Sequence, residues 1–472
     1  MRTSHKLTCL AAAAVLAACS STGDNRQGQT LQALSTQVVT VKPDEVNGVN
    51  ETQAMKAYQQ LLQVSPNSPL GAEALRRLAD LEMERADQGN AEAKSGKAVD
   101  YRAVIAGYQE QLAAFPNAPN RDQVLYQLAR AQEQAGELEA ALQTLTQLVQ
   151  AFPQADNVDE IQFRRGELAF SVGQYAVAEK AYVAVLTDDH LNPYQERATY
   201  MLGWSRFKLG QFDGAMRAFF KVLDTKLASR PGADTLASPD RFNRADRELL
   251  ADTFRGISLS LANQQGPQGI EAFTSTKALR QRYALFVYEQ LGEYYVKQNH
   301  PKEAADTYRL FVQKNPLNGQ SPRLQVQAVD NYIQAGLADE AVEAKKEYVR
   351  LFGRDSGLHV SRPRDWRAAQ PKVLEYLKDL ARYYHAKAQS TKRQSDYQEA
   401  VSWYRELLST FSNDPDTVQN NFLLADLLYE AGLYGEAAVE YERVAYEYPW
   451  HAKAAEAGYA ALQCHAQMRK GA

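Results

Sequence analysis

Three cysteines and seven histidines are the residues of this 472-residue chain with the readiest chemistry. Catalysis needs them in company, as a nucleophile beside a base or as imidazoles and thiolates at metal-ligand spacing. The chain has no His-Glu-x-x-His, no Cys-x-x-Cys, no Gly-x-x-x-x-Gly-Lys-Ser/Thr, no Gly-x-Gly-x-x-Gly and no Gly-x-Ser-x-Gly. His190, His300, His359, His385, His451 and His465 stand singly along it. Carboxylates such as Glu406 and Asp426 lie on amphipathic stretches and read as solvated helix faces. Cys464 reads as a small apolar residue of a terminal helix. No catalytic residue, metal site or cofactor is expected, and the chain is not expected to be an enzyme. A net charge of −4 gives no electrostatic case for nucleic acid.

The elements that would position any site repeat. The segments QAGELEAALQTLTQLV, SVGQYAVAEKAYVAVL and KLGQFDGAMRAFFKVL follow one another at a step of 37 residues. Aligned on one small residue, Val104, Ala141, Ala178 and Ala215 keep that step, as do Ala304 and Ala341, and Ala400 and Ala437. Each unit reads as a helix closed by glycine at 136, 173, 210, 336 or 432, a reversal, and a second helix. On the second helix an aromatic follows the alanine by four residues, at Tyr182, Phe219, Tyr308, Tyr404 or Tyr441, on the packing face. Prolines at 116, 153, 316 and 449 mark where second helices stop.

These residues, with Leu202-Gly203, Leu291-Gly292 and Gly166 on the first helices, resemble the tetratricopeptide repeat family over most of residues 52–466. The resemblance implies an all-α fold, an α-solenoid of tetratricopeptide-like helix hairpins, and a role in binding other proteins. It also implies that the fifth residue of each first helix faces a groove. Carried across, that position gives Tyr126, Phe163, Tyr200 and Phe422, with Trp204 and Phe207 further along one of the helices. Rigid aromatics on such a face suit capture of a peptide or helix. The same spacing equally describes core packing, and a sugar polymer could stack on the rings. Both alternatives stay open at this point.

The N-terminus supplies an address. Arg2 and Lys6, an apolar run from Leu7 to Leu16, and Leu16-Ala17-Ala18-Cys19 resemble a bacterial lipoprotein signal. The resemblance implies removal of residues 1–18, lipid on Cys19 and, with Ser20 following, the outer membrane. Cys9 leaves with the signal, so Cys464 has no disulfide partner. Residues 20–50 read as a tether with a span of roughly 30 Å.

The expected organisation is a signal over 1–18, a lipidated tether over 19–50, an N-terminal repeat block over 51–224 and an insertion with a degenerate repeat over 225–276. A middle block over 277–352, a loop insertion over 353–371 and a C-terminal block with its cap over 372–472 complete it. The loop places Arg362, Arg364, Trp366 and Arg367 together as a second candidate surface. With its Ser65-Pro66-Asn67-Ser68-type linkers, the chain resembles lipoprotein scaffolds of β-barrel assembly and of cell-wall synthesis coordination. The expected partners are other envelope proteins and, through the lipid, the membrane; peptidoglycan or an exported polysaccharide is the alternative.

Overall fold

The structure, a computed structural model, describes residues 51–92, 100–187, 192–228, 242–449 and 451–471. The expected signal, Cys19 and the tether lie outside the described residues. The chain divides into two compact units, Met1–Leu81 and Glu82–Ala472. In the first, α1 (Glu51–Val64) buries no residue, and Ser68 starts α2 (Pro69–Glu92) by accepting a hydrogen bond from the Gly71 N–H at 3.0 Å. The described residues hold helices and no strand.

In the second unit first and second helices alternate: α3 (Arg102–Ala114), α4 (Arg121–Gln134), α5 (Leu138–Ala151), α6 (Val158–Ser171), α7 (Tyr175–Val185), α8 (Gln195–Lys208) and α9 (Phe212–Ala228). They continue with α10 (Arg244–Ala262), the short α11 (Ile270–Thr274), α12 (Ala278–Lys297), α13 (Pro301–Lys314), α14 (Ser321–Gln334) and α15 (Ala338–Phe352). The last are α16 (Gly357–Ser361), α17 (Pro363–Thr391), α18 (Gln394–Thr410), α19 (Thr417–Glu430), α20 (Tyr434–Glu442) and α21 (Ala454–Gly471). The all-α solenoid expected from the 37-residue step is what the chain forms.

One turn recurs between the helices of a pair. Gly136, Gly173, Gly210, Gly336 and Gly432 all have φ between 72° and 80°. Beyond each, the next N–H reaches back to a carbonyl of the helix's last turn, as from Glu137 to Gln132 (2.8 Å) and from Gln211 to Arg206 (2.9 Å). Asn299, at φ 60°, takes the glycine's place between α12 and α13, and His300 bonds back to Tyr295 at 2.8 Å.

One contact also recurs inside the pairs. A Cβ built on Gly166 would lie 2.6 Å from the Tyr182 ring, one on Gly203 2.6 Å from Phe219, and one on Gly292 2.3 Å from Tyr308. The first helix therefore needs a residue without a side chain where the second helix's aromatic lands. Those rings are fully buried, as are the register alanines 141, 178, 215, 304, 400 and 437. Buried side chains form two clusters, one from Leu125 to Ala218 and one from Trp204 to Cys464, which interleave at the α8–α9 pair.

Two expectations are corrected. The segment 353–371 is helical rather than a loop: Pro363 opens the 29-residue α17, and Ala369, Val373, Tyr376 and Leu377 bury one face of it. A boundary at 371 would cut that helix, because Pro371 removes one backbone hydrogen bond without ending it. In the expected insertion, α9 runs on to Ala228 and α10 starts at Arg244, capped by Asn243, so both ends of that segment are helical. Residues 229–241 lie outside the described residues. The degenerate repeat is α10 followed by a 3₁₀ turn and α11.

Candidate functional site

The rings picked out by the 37-residue step sit on successive first helices, and each is engaged from the next hairpin. Tyr126 on α4 donates its hydroxyl to Glu160 on α6, and Arg164 lies over its ring at 5.8 Å. Arg164 also pairs with Glu160 (3.1 Å) and with Glu133 of α4 (3.6 Å). Phe163 on α6 stacks on Tyr194 (centroids 5.1 Å), with Arg197 of α8 at 5.9 Å from its centre. Tyr200 on α8 donates to Asp252 on α10; Trp204 donates its indole N–H to the same carboxylate at 3.1 Å and lies under Arg255 at 4.9 Å. Phe207 packs edge-on against Trp204, and Phe422 on α19 packs against Tyr441 beneath Lys453.

Burial separates these residues. Phe163, Trp204 and Phe422 are core residues, at most 9% exposed, while Tyr126, Tyr200 and Phe207 are half-buried. The packing alternative that the spacing left open therefore holds for the first three. Trp204 goes inward because Phe219 meets it edge-on at 5.4 Å and Arg255 closes it from a hairpin about fifty residues away in sequence. Burial, then the bond to its carboxylate, pushes the hydroxyls of Tyr126 and Tyr200 up to about 12. The bond from Tyr126 in turn holds Glu160 below the usual carboxylate range.

The partners Glu160, Arg164, Arg197, Asp252 and Arg255 escape a reading by residue type, being ordinary charges on amphipathic helices. Arg130 with Asp87, Arg164 with Glu133 and Arg197 with Glu167 tie consecutive first helices at 3.6, 3.6 and 3.1 Å, but their sequence separations share no single step that could have announced them.

The second candidate surface sits on the α16–α17 corner. Trp366 stacks on His359 at 3.8 Å and donates to the Gly353 carbonyl at 3.0 Å; Arg362 pairs with Asp365 at 2.9 Å. Arg367 donates to the Pro363 carbonyl at 3.2 Å, and Arg364 is exposed. Trp366 and Arg362 thus hold the corner, which leaves Arg364 and Arg367 facing water.

Reactive side chains are occupied locally. His385 meets the Tyr404 hydroxyl at 3.1 Å and burial lowers its pKa; His451 and His465 bond to the Val444 carbonyl and to Glu442. His190 lies outside the described residues. Asp426, read as solvated, is half-buried, raised by that burial and bonded by the Tyr441 hydroxyl at 2.5 Å. Cys464 is buried and free. Among the described residues no group of three or more His, Cys, Asp or Glu is placed to hold a metal ion, and no helix is long and apolar enough to cross a membrane.

A paired-helix array whose rings and charges serve its own joints defines a class, the helical-repeat proteins. Within it, tetratricopeptide-repeat family models match residues 123–155, 163–233 and 385–452. Among solved structures, similarity extends to Naa15/Naa10 bound to HypK-THB (13% identity, TM-score 0.36, 88% of this chain and 63% of that one). It extends also to a tetratricopeptide repeat protein from Parabacteroides merdae (15%, 0.30, 67% and 99%) and to BtubC from P. vanneervenii (15%, 0.30, 50% and 89%). The chain thus spans less than two thirds of the Naa15/Naa10 chain. No curated protein matches it.

Proposed function

We propose that the chain is a non-catalytic scaffold of the bacterial envelope, tethered by lipid on Cys19 to the periplasmic face of the outer membrane, that binds protein partners along its first-helix face. One observation carries the reading: the packing positions are constant from repeat to repeat while the exposed positions between them change. Gly166–Tyr182, Gly203–Phe219 and Gly292–Tyr308 are one contact made three times. Tyr126 and Tyr200 each donate to a carboxylate of a following helix, but Arg164 lies over Tyr126 itself whereas Arg255 lies over Trp204, so the surroundings differ from one repeat to the next. A constant frame with a variable, mixed-charge surface is how a repeat array acquires a specific partner.

A protein ligand is favoured over a sugar polymer. Stacking on a sugar requires an open ring face, and Arg164, Arg197 and Arg255 lie over Tyr126, Phe163 and Trp204. The envelope address rests on residues 1–19 alone.

Photo-crosslinkers at Gln127 and Arg197, on the first-helix face, are expected to give protein adducts in intact cells. Cys19→Ala is expected to release the chain from the membrane fraction. Retention of the purified chain by cell-wall saccharide, with no adduct from either position, would overturn the scaffold reading; a Cys19→Ala chain still in the membrane would overturn the anchor.

A further inference from the structure

A groove of about 730 Å³ crosses the N-terminal repeats, lined mainly by the second helices α3, α5 and α7. Its lining is unusual in being rich in one side chain: Gln109, Gln132, Gln143, Gln147 and Gln150 all contribute, and no aromatic does. Gln143, Gln147 and Gln150 fall at i, i+4 and i+7, which puts them on one face of α5.

Two further observations distinguish this groove from a merely solvated surface. The first is its floor. Gln132 and Thr144 are both buried, and Thr144 donates its hydroxyl to the Gln132 amide oxygen at 2.7 Å. The Gln132 NH₂ makes no hydrogen bond to any described residue. The second is Arg165. It is half-buried, donates to Thr146 (3.0 Å) and to Gln162 (3.2 Å), and has no carboxylate partner among the described residues. Almost every other arginine of the neighbouring first helices is paired with an acid, as Arg130, Arg164 and Arg197 are. Burial alone acts on Arg165 and lowers its pKa, with no neighbouring charge to offset it. A partly desolvated guanidinium facing only neutral groups is stabilised by an incoming anion, and its planar fork suits a carboxylate.

We propose that this groove binds an extended, acidic peptide segment of a partner protein, with an Asp or Glu carboxylate on Arg165 and the peptide backbone paired with the glutamine amides. Each amide offers both a donor and an acceptor, as a peptide group requires. Steps of four and three residues along α5 rise about 6 and 4.5 Å. An extended chain returns the same side to the groove roughly every 6.6 Å, so successive amides can serve alternate residues. Leu142, Ala140 and Val177 in the lining give small apolar side chains a place, whereas a saccharide would find no ring to stack on. Glu139, the one acid of the lining, stands two turns before Thr146 on α5 and disfavours a second anion at that end. The proposal rests on the scaffold reading but names a surface separate from Tyr126 and Tyr200.

The test is calorimetric titration of the full chain with a poly-L-aspartate peptide, a neutral poly-(Gly-Ser) peptide and polygalacturonate. Binding of the aspartate peptide alone is expected, weakened about tenfold by Arg165→Gln, partly restored by Arg165→Lys, and weakened to a similar degree by Gln143→Ala with Gln147→Ala. Arg197→Ala, on the first-helix face, is expected to leave it unchanged. Helicity of each variant is measured alongside, and the rescue by Arg165→Lys separates loss of charge from loss of fold. No binding of the aspartate peptide, binding indifferent to Arg165→Gln, or tighter binding of polygalacturonate would each overturn the proposal. Adducts at Gln127 with no peptide binding would sink the groove and leave the scaffold standing; peptide binding without those adducts would support the groove and remove the first-helix face as the docking surface.

Discussion

A methyl group at position 203 would lie 2.6 Å from Cε1 of Phe219, closer than carbon atoms pack. Alanine is worth about 1 kcal/mol over glycine in an exposed helix, yet here overpacking opposes it at about 1–3 kcal/mol. Gly203→Ala should therefore lower the urea midpoint, and Phe219→Leu in the same chain should recover part of the loss. Gly210 fails for a different reason. Nothing lies within 4 Å of its Cβ direction, but φ is +72°, so Gly210→Ala should cost about 1–2 kcal/mol whatever its neighbours are. Recovery of Gly210→Ala by Phe219→Leu, to the extent seen for Gly203→Ala, would remove the distinction between lack of space and backbone conformation. The tyrosines give a pH signature at this scale. Burial pushes Tyr126, Tyr200, Tyr308, Tyr332 and Tyr404 up to about 12, against about 10 when unfolded. A raised folded pKa means their contribution is whole below about pH 10 and is lost as pH climbs toward 12. Tyrosinate absorbance and loss of helicity should rise together in that window; tyrosines ionising near pH 10 in a still-helical chain would contradict their burial.

At the scale of the element, the α16–α17 corner shows what one side chain can hold. The Trp366 bond to the Gly353 carbonyl and its stack on His359 tie the start of a 29-residue helix to the end of α15. Trypsin should leave Arg364 and Arg367 uncut in the intact chain because both are helical. Trp366→Ala should expose cleavage at Arg354 and Arg364 with little change in total helicity; rapid cutting at Arg364 before the substitution would mean that the segment is open. The hairpins were legible in the sequence because their determinants are local: a turn glycine, a small residue and an aromatic at fixed offsets. Asn299 closes the same turn unannounced, since asparagine reaches the left-handed region without glycine's signature. Residues 353–371 misread as a loop because proline marks both helix starts and breaks. The burial of Trp204 was not legible because what covers it, namely Asp252 and Arg255, comes from a hairpin separated by an insertion whose length no periodicity fixes.

For the whole molecule, repeat arrays transmit stability between neighbours, so the place where two cores meet decides whether the array unfolds as one. Here the clusters from Leu125 to Ala218 and from Trp204 to Cys464 interleave within α8 and α9. Phe219 is the residue that touches both sides: fully buried, it fills the space over Gly203 in its own hairpin and over Gly256 in the next. The Tyr200 and Trp204 bonds to Asp252 cross the same junction as polar ties. Phe219→Ala removes the shared ring at a cost of about 3–5 kcal/mol, and it removes it from the interface as well as from the hairpin. Amide exchange should then change in pattern, not only in rate. In the unmodified chain α4–α9 and α12–α19 should open with similar free energies, whereas in Phe219→Ala the N-terminal block should open first and independently. Asp252→Asn, which keeps the shape and weakens only the polar ties, should show a smaller shift of the same kind. If Phe219→Ala lowers protection uniformly along the chain, the junction has no special role and the two clusters behave as one core.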